Sequence, residues 1–176
     1  MRILITGPAG SGKTTQAKLL AQNFNLCFFG AGEIFRKKSL EDNEIRKRLK
    51  KDLAEGNLIN NQVASSLLKR EIEQNKCPNG FVIDGYPRDL DQLQYFDPKF
   101  DKVVCLEVSK DTVVKRLLQR GRFDDTKEAI EERLRIYQKE TSAVLDFYQN
   151  LGIIVKINGE KSIEEISEKI EKKLYE

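Results

Sequence analysis

The sequence predicts an α/β three-layer sandwich, a parallel sheet covered by helices on both faces. Three observations predict it. Five short segments are apolar through most of their length rather than alternating, as parallel strands buried on both sides require. Helical patterns lie between them, so strands and helices alternate along the chain. The first apolar segment runs straight into a glycine-rich loop and then a helix, an order that turns a helix N-terminus into an anion site.

Residues 2–6 (Arg-Ile-Leu-Ile-Thr) read as the first strand. Residues 14–23 read as the first helix, with Ala17, Leu19, Leu20 and Phe24 at helical spacing. Residues 26–29 are the second strand. Helices over 44–53 and 61–74 precede the third strand, 81–84. The fourth strand, 103–108, leads into a helix over 111–119. Residues 127–149 read as one long helix, with Ile130, Leu134, Tyr137, Val144 and Tyr148 along one side. The last strand is 153–157, and Ile163, Ile166, Ile170 and Leu174 stripe the last helix. No internal repeat or low-complexity linker interrupts this series. A chain of 176 residues is expected to form one domain with a proper core.

Composition narrows the function classes. The chain is 39% hydrophobic and 34% charged, with a net charge of +3, too small to argue for nucleic acid. No apolar run approaches a membrane span, and the N-terminus carries one basic residue before the first strand, so neither a membrane anchor nor a signal peptide is expected. A cytoplasmic monomer is the default reading. Cys27, Cys77 and Cys105 are far apart, no C-x-x-C pair exists and histidine is absent, which argues against structural zinc. The cysteines are expected to be reduced, buried thiols. Without histidine no Ser-His-Asp or Cys-His nucleophile can be built, so covalent acyl chemistry is excluded.

Residues 7–14, Gly-Pro-Ala-Gly-Ser-Gly-Lys-Thr, match the phosphate-loop pattern G-x-x-x-x-G-K-[ST] with no mismatch. Gly7, Gly10 and Gly12 let a phosphate approach the main chain, whose amides then point inward. Lys13 reaches the β- and γ-phosphates, and the Thr14 hydroxyl can ligate magnesium. Asp84 closes the third strand, at the sheet edge where the phosphate loop leaves the first. An acidic residue there serves magnesium directly or through water. Gly85-Tyr86-Pro87-Arg88 then launches an arginine from the same edge. Arg116, Arg120, Arg122, Arg133 and Arg135 form a second cationic group, with Arg116 and Arg120 four apart on one helix face. Phosphoryl transfer needs such charge neutralisation more than covalent chemistry. A guanine-reading Asn-Lys-x-Asp is missing, since Asn75-Lys76 continues as Cys77-Pro78, so a GTPase-type switch is disfavoured.

These motifs resemble those of the adenylate kinase family of nucleoside monophosphate kinases, from residue 1 to about 163. Besides the phosphate loop, Gly32-Glu33-Ile34-Phe35-Arg36 is similar to the family's G-[DE]-hydrophobic-hydrophobic-R segment. Glu55-Gly56-Asn57-Leu58-Ile59 is similar to its G-x-[LIV]-[VI] turn, and Asp84-Gly85-Tyr86-Pro87-Arg88 to its signature D-G-[FY]-P-R. The resemblance implies a P-loop NTPase sandwich with a five-stranded parallel core, an acceptor-binding helical segment over 30–60 and a lid reduced to 120–125. It implies transfer from Mg-ATP to a nucleoside monophosphate, with no nucleic-acid or membrane partner. On this analogy Gly10, Ser11, Gly12, Lys13, Thr14, Thr15, Arg116 and Gly159 bind ATP. Ala31, Arg36, Asn57, Ile59, Gly85, Arg88 and Gln92 bind AMP. Lys13, Asp84, Arg88, Arg120, Arg122 and Arg133 carry the chemistry, and Thr14 and Asp84 (via water) serve Mg2+. By resemblance Arg116 stacks on the donor adenine.

Two departures from the family pattern carry information. Adenylate kinases usually have threonine where Ala31 stands and UMP/CMP kinases alanine, whereas Gln92 sits where adenylate members keep glutamine. A glutamine amide both donates and accepts at a purine edge, which favours AMP over the alternative UMP/CMP or broad-specificity reading. Between Arg120 and Asp124 only Gly121, Arg122 and Phe123 remain, so the chain reads as nearly lidless, with no zinc lid and a poorly shielded phosphate.

Overall fold

A computed structural model describes residues 1–40, 44–123 and 125–175. Residues 41–43 of the expected acceptor segment and Asp124 of the expected bridge lie outside the described residues. The order along the chain is β1 (Arg2–Thr6), α1 (Lys13–Asn23), β2 (Cys27–Gly30), α2 (Ala31–Lys38), α3 (Glu44–Glu55), α4 (Asn61–Glu73), β3 (Phe81–Asp84) and α5 (Gln92–Tyr95). It continues through β4 (Lys102–Glu107), α6 (Lys110–Arg120), α7 (Lys127–Ile136), a π-helical turn (Tyr137–Thr141), α8 (Ser142–Asn150), β5 (Ile154–Asn158) and α9 (Ile163–Tyr175).

The five strands form one parallel sheet in the order β2-β3-β1-β4-β5. Side chains on each strand alternate between its two faces. Ile3, Ile5, Val82 and Val104 therefore pack against α1 and α9 through Ala17, Leu20, Ile166 and Ile170. Leu4, Ile83 and Val103 share the opposite core with Phe35, Leu49, Leu68 and Val144. Every one of these side chains is buried. The strands end nearly flush, with Gly30 opposite Asp84 and Ile5 opposite both Asp84 and Val104. The loop after β1, the turn after β3 and the start of α2 consequently open at one edge, where ligands of parallel α/β sheets sit.

Pairing sets the strand limits more than local composition does. β2, β4 and β5 each sit one residue from the expected bounds because their ends follow the ladder, as where the Cys27 amide donates to the Gly80 carbonyl at 3.1 Å. α2 falls within the helical segment that the resemblance implies over 30–60, and the single-turn α5 is not among the expected helices. The stretch expected as one helix over 127–149 is divided into α7 and α8 by the π turn. Thr126 caps it, its hydroxyl accepting from the Ala129 amide at 3.2 Å.

The expectation of three reduced thiols is corrected for two of them. Cys27 and Cys77 are joined as a disulfide, with their Cα atoms 5.7 Å apart, while Cys105 is free and buried. The turn from Cys77 to Gly80, closed by the Gly80 amide on the Cys77 carbonyl at 3.1 Å, lays Cys77 beside the start of β2. The bond encloses α2, α3 and α4 in a loop of sequence separation 50. In the chain-entropy account such a closure contributes about 4 kcal/mol. Among the described residues no helix is long and apolar enough to cross a membrane.

Candidate active site

A cleft of about 300 Å³ opens beyond the C-terminal edge of the sheet. One wall is the phosphate loop. Gly7 has φ +143°, and a Cβ there would lie 2.6 Å from the Leu106 carbonyl oxygen, so the loop can hug β4 only with glycine. Gly12 caps α1 in the left-handed region, at φ 91°. Gly10, Gly12, Lys13, Thr14 and Thr15 all face the cleft. The Lys13 ammonium donates to the Pro8 carbonyl at 2.8 Å. Burial pushes its pKa down to about 8; Asp84 pulls it back up, and Arg88 and Arg120 add to the fall.

At the floor, the Thr14 hydroxyl donates to the Asp84 carboxylate. A hydroxyl and one carboxylate at a phosphate loop are the hard-oxygen donors magnesium takes when phosphates and waters complete its shell. Among the described residues no group of three His, Cys, Asp or Glu forms an all-protein metal cage. The donor set therefore fits a magnesium carried in with a nucleotide and does not resemble a zinc site.

The other wall comes from α2, the turn after α3, and the segment from β3 to α5, through Arg36, Asn57, Ile59, Gly85, Arg88 and Gln92. Arg88 is held through its main chain. Its amide donates to Gln92 Oε1 at 2.8 Å, and its carbonyl accepts from the Thr141 hydroxyl at 3.2 Å. Its Nε donates to the Gly85 carbonyl at 3.1 Å. Gln92 is itself only 3% exposed. Below it the Tyr86 hydroxyl lies 2.9 Å from the Gln92 carbonyl and 2.6 Å from that of Phe96, and burial pushes that phenol up to about 12.

Over the top come Arg116, Arg120, Arg122 and Arg133. Asp125 gathers two of them. Arg120 donates to it through both Nε (2.7 Å) and Nη2 (2.5 Å), Arg133 through Nη1 (2.9 Å), and the Arg122 amide at 3.3 Å. The Asp125 side chain is 2% exposed. Burial alone would raise its pKa, but the hydrogen bonds and charge of Arg120, then the Arg122 amide and Arg133, hold it below the usual carboxylate range. At the outer end Arg116 Nη1 donates to the Gly159 carbonyl at 3.1 Å. The same β5–α9 loop is tied to the start of α6 by Glu160, which accepts from the Ser109 amide at 3.0 Å and the Thr112 hydroxyl at 3.2 Å.

Sixteen side chains or glycines expected at the site thus share one cleft, and three do not line it. Ser11 is buried, Ala31 is packed into the core at 0% exposure, and Gly159 meets the site through Arg116. Sequence reasoning missed Asp125 and Thr141 as partners of the arginines. Asp125 had a signal, a carboxylate inside an arginine-rich bridge; Thr141 had only a hydroxyl on an apolar stripe.

A phosphate loop on a five-stranded parallel sheet, an oxygen pair at its end and arginines converging from three elements define a P-loop phosphotransferase. Comparison with known proteins narrows the class. The family model described as adenylate kinase matches residues 5–153, and the chain belongs to the adenylate kinase family. It is 37% identical over 175 residues to an adenylate kinase of Corynebacterium urealyticum, covering 96% of each chain. It is 39% identical over 181 residues to one of Bifidobacterium longum, covering 97% of each. To one of Nocardia farcinica it is 35% identical over 176 residues, covering 96% of each. The family transfers phosphoryl groups between nucleotides and uses ATP with magnesium.

Proposed function

We propose that this chain transfers the terminal phosphoryl group of ATP to AMP, reversibly, giving two ADP. The observation that carries the reading is one cleft with two cationic walls. Lys13 and the Asp125-gathered arginines stand on one side, Arg88 and Arg36 on the other. Two anionic nucleotides brought phosphate to phosphate are what such a cleft accommodates.

In this reading the loop amides, Lys13 and Arg116 hold ATP. Arg36 and Arg88 hold the acceptor phosphate, and Gly85, Asn57 and Ile59 flank the acceptor. Arg120, Arg122 and Arg133 neutralise charge on the group in flight, positioned without a large lid. Thr14 and Asp84 would hold magnesium, which when bound offsets phosphate charge. Residues 30–60 serve as the acceptor segment and 120–125 as the bridge over the reacting group.

Gln92 supports adenine as the acceptor base. Its Oε1 is engaged by the Arg88 amide, so its Nε2 is the group left to donate to a ring nitrogen with a lone pair. Adenine N1 has that lone pair; the uracil ring N–H opposes it. Ala31 lies in the core rather than on the cleft wall, which leaves base choice to Gln92. The proposed substrates support a cytoplasmic enzyme, and the Cys27–Cys77 bond is the observation that weighs against it, since a reducing pool opposes disulfides.

The test is initial rates with ATP against AMP, UMP, CMP, GMP and dAMP. AMP is expected to exceed UMP in kcat/KM by at least about a hundredfold, since rejecting a base that leaves a buried polar group unpaired costs more than a misfit in an apolar pocket. UMP or CMP turning over as well as AMP would replace this reading with a pyrimidine or broad-specificity kinase.

A further inference from the structure

The long helical stretch from α7 through α8 carries an apolar stripe through Ile130, Leu134, Tyr137, Val144 and Tyr148. At helical spacing the stripe is interrupted by one polar residue, Thr141, the last residue of the π turn, 4% exposed. A buried hydroxyl is costly unless it is bonded. This one donates to the Arg88 carbonyl at 3.2 Å, across 53 residues of chain. π turns inside α-helices are frequent at functional sites. Here the turn lies one helix segment downstream of Arg133, and a second, smaller cavity of about 40 Å³ lies against Lys13, Arg88, Arg133 and Thr141.

We infer that Thr141 is a positioning residue: its hydroxyl fixes the Arg88 main chain against the helical stretch that carries Arg133. The inference rests on the reading above, in which Arg88 holds the acceptor phosphate and Arg133 the group in flight. Arg88 is then clamped on both sides of its Cα, the amide by Gln92 and the carbonyl by Thr141. The spacing between the two phosphate-binding cations is set by a side chain that touches neither substrate. Small misplacements of such groups cost rate more than binding of the remote substrate.

The experiment compares Thr141→Val, which keeps the shape and deletes the hydroxyl, with Thr141→Ser, which keeps the hydroxyl. Thr141→Val is expected to lower kcat roughly tenfold and raise the AMP KM severalfold, with the ATP KM within about twofold. Thr141→Ser is expected to stay within about twofold on all three. In an Arg88→Ala background Thr141→Val should cost nothing further, because it acts through Arg88. Wild-type kcat and AMP KM in Thr141→Val, an equal loss in Thr141→Ser, or an undiminished loss in the Arg88→Ala background would each overturn the inference. Should Thr141→Val fail to fold, Thr141→Ala against Thr141→Ser makes the same comparison. Wild-type enzyme assayed alongside separates the two failures. No transfer to AMP by the wild type defeats the functional reading, whereas normal wild-type transfer with indifferent variants defeats only the role of Thr141.

Discussion

Arg88 and the pair Arg120–Arg133 face the same cleft but are held by different chemistry. Arg88 is placed by its backbone, through Gln92 and Thr141, with Nε on the Gly85 carbonyl. Arg120 and Arg133 are placed by their charged ends on one buried carboxylate. The first arrangement fixes the arginine chiefly through its main chain, and in the proposed reading its guanidinium turns toward a substrate that must bind and leave. The second partly cancels two charges, and a phosphate has to compete with Asp125 for them. In the proposed reading Asp125 pre-assembles the bridge without a lid subdomain, and little chain has to be ordered on binding. On that reading one carboxylate takes over the positioning that a lid would supply, at the cost of competition with the substrate.

The largest effect expected from this comparison comes from Asp125→Asn. The neutral amide keeps the shape but removes the charge to which Arg120 and Arg133, 30% and 11% exposed, both donate. Losing a charged hydrogen-bond acceptor costs about 1.5–3 kcal/mol, and the arginines' partial exposure lessens it, so a modest fall in stability is expected too. For catalysis, kcat is expected to fall at least a hundredfold, as when a positioned charge donor is lost, with the AMP KM changing little. Steady-state kinetics on folded variant, checked by circular dichroism, reads both. An unchanged kcat would mean that the phosphates position these arginines unaided.

On the other wall Gln92→Leu probes the backbone clamp. It deletes the acceptor of the Arg88 amide together with the group proposed to read the base. The AMP KM is expected to rise about thirtyfold, and kcat to fall about threefold because Arg88 loosens. UMP, never read by that donor, should lose kcat but little KM. Equal KM changes for AMP and UMP would show that Gln92 braces Arg88 and nothing more.

Much of this arrangement is legible from sequence because it is local. The phosphate loop is an eight-residue string, and β1 and β3 lie where residues 2–6 and 81–84 are expected, since continuous apolar runs need no partner to be recognised. What escapes is decided by contacts distant in sequence. The Cys27–Cys77 bond depends on a turn beside an edge strand, and nothing in the spacing of those residues announces it. The π turn escapes because the stripe from Ile130 to Tyr148 keeps its helical period across it. Asp125 escapes because a carboxylate in a charged string ordinarily reads as solvated. The bounds of α2 escape, although the resemblance implies a helical segment over 30–60, because its eight residues include Gly32, a poor helix former.

Lys13 falls outside both arrangements. Among the described residues its hydrogen bond goes to the neutral Pro8 carbonyl, and its ammonium is buried near Arg88 and Arg120. Its pKa of about 8 in the folded chain, against 10.5 ordinarily, means that its charge is held at a cost to the free protein, and in the proposed reading it is held for phosphate. The sign follows from the protons each state binds. Below pH 8 both folded and unfolded chains hold the proton, and the burial cost is fully present. Between about 8 and 10.5 the folded chain has released a proton that the unfolded chain keeps, so stability rises with pH across that window. Lys13→Met removes this dependence and is expected to be more stable than wild type at pH 7. By pH 9 that advantage should have shrunk by about 1.4 kcal/mol, the value of one pH unit above the folded pKa. Urea unfolding of both proteins at pH 7, 8 and 9 isolates the effect, since the other titrating groups are common to the two. The smallest of the three effects, it still separates the cases. A difference that stays constant from pH 7 to 9 would mean that Lys13 is compensated in the free protein, as Arg120 and Arg133 are.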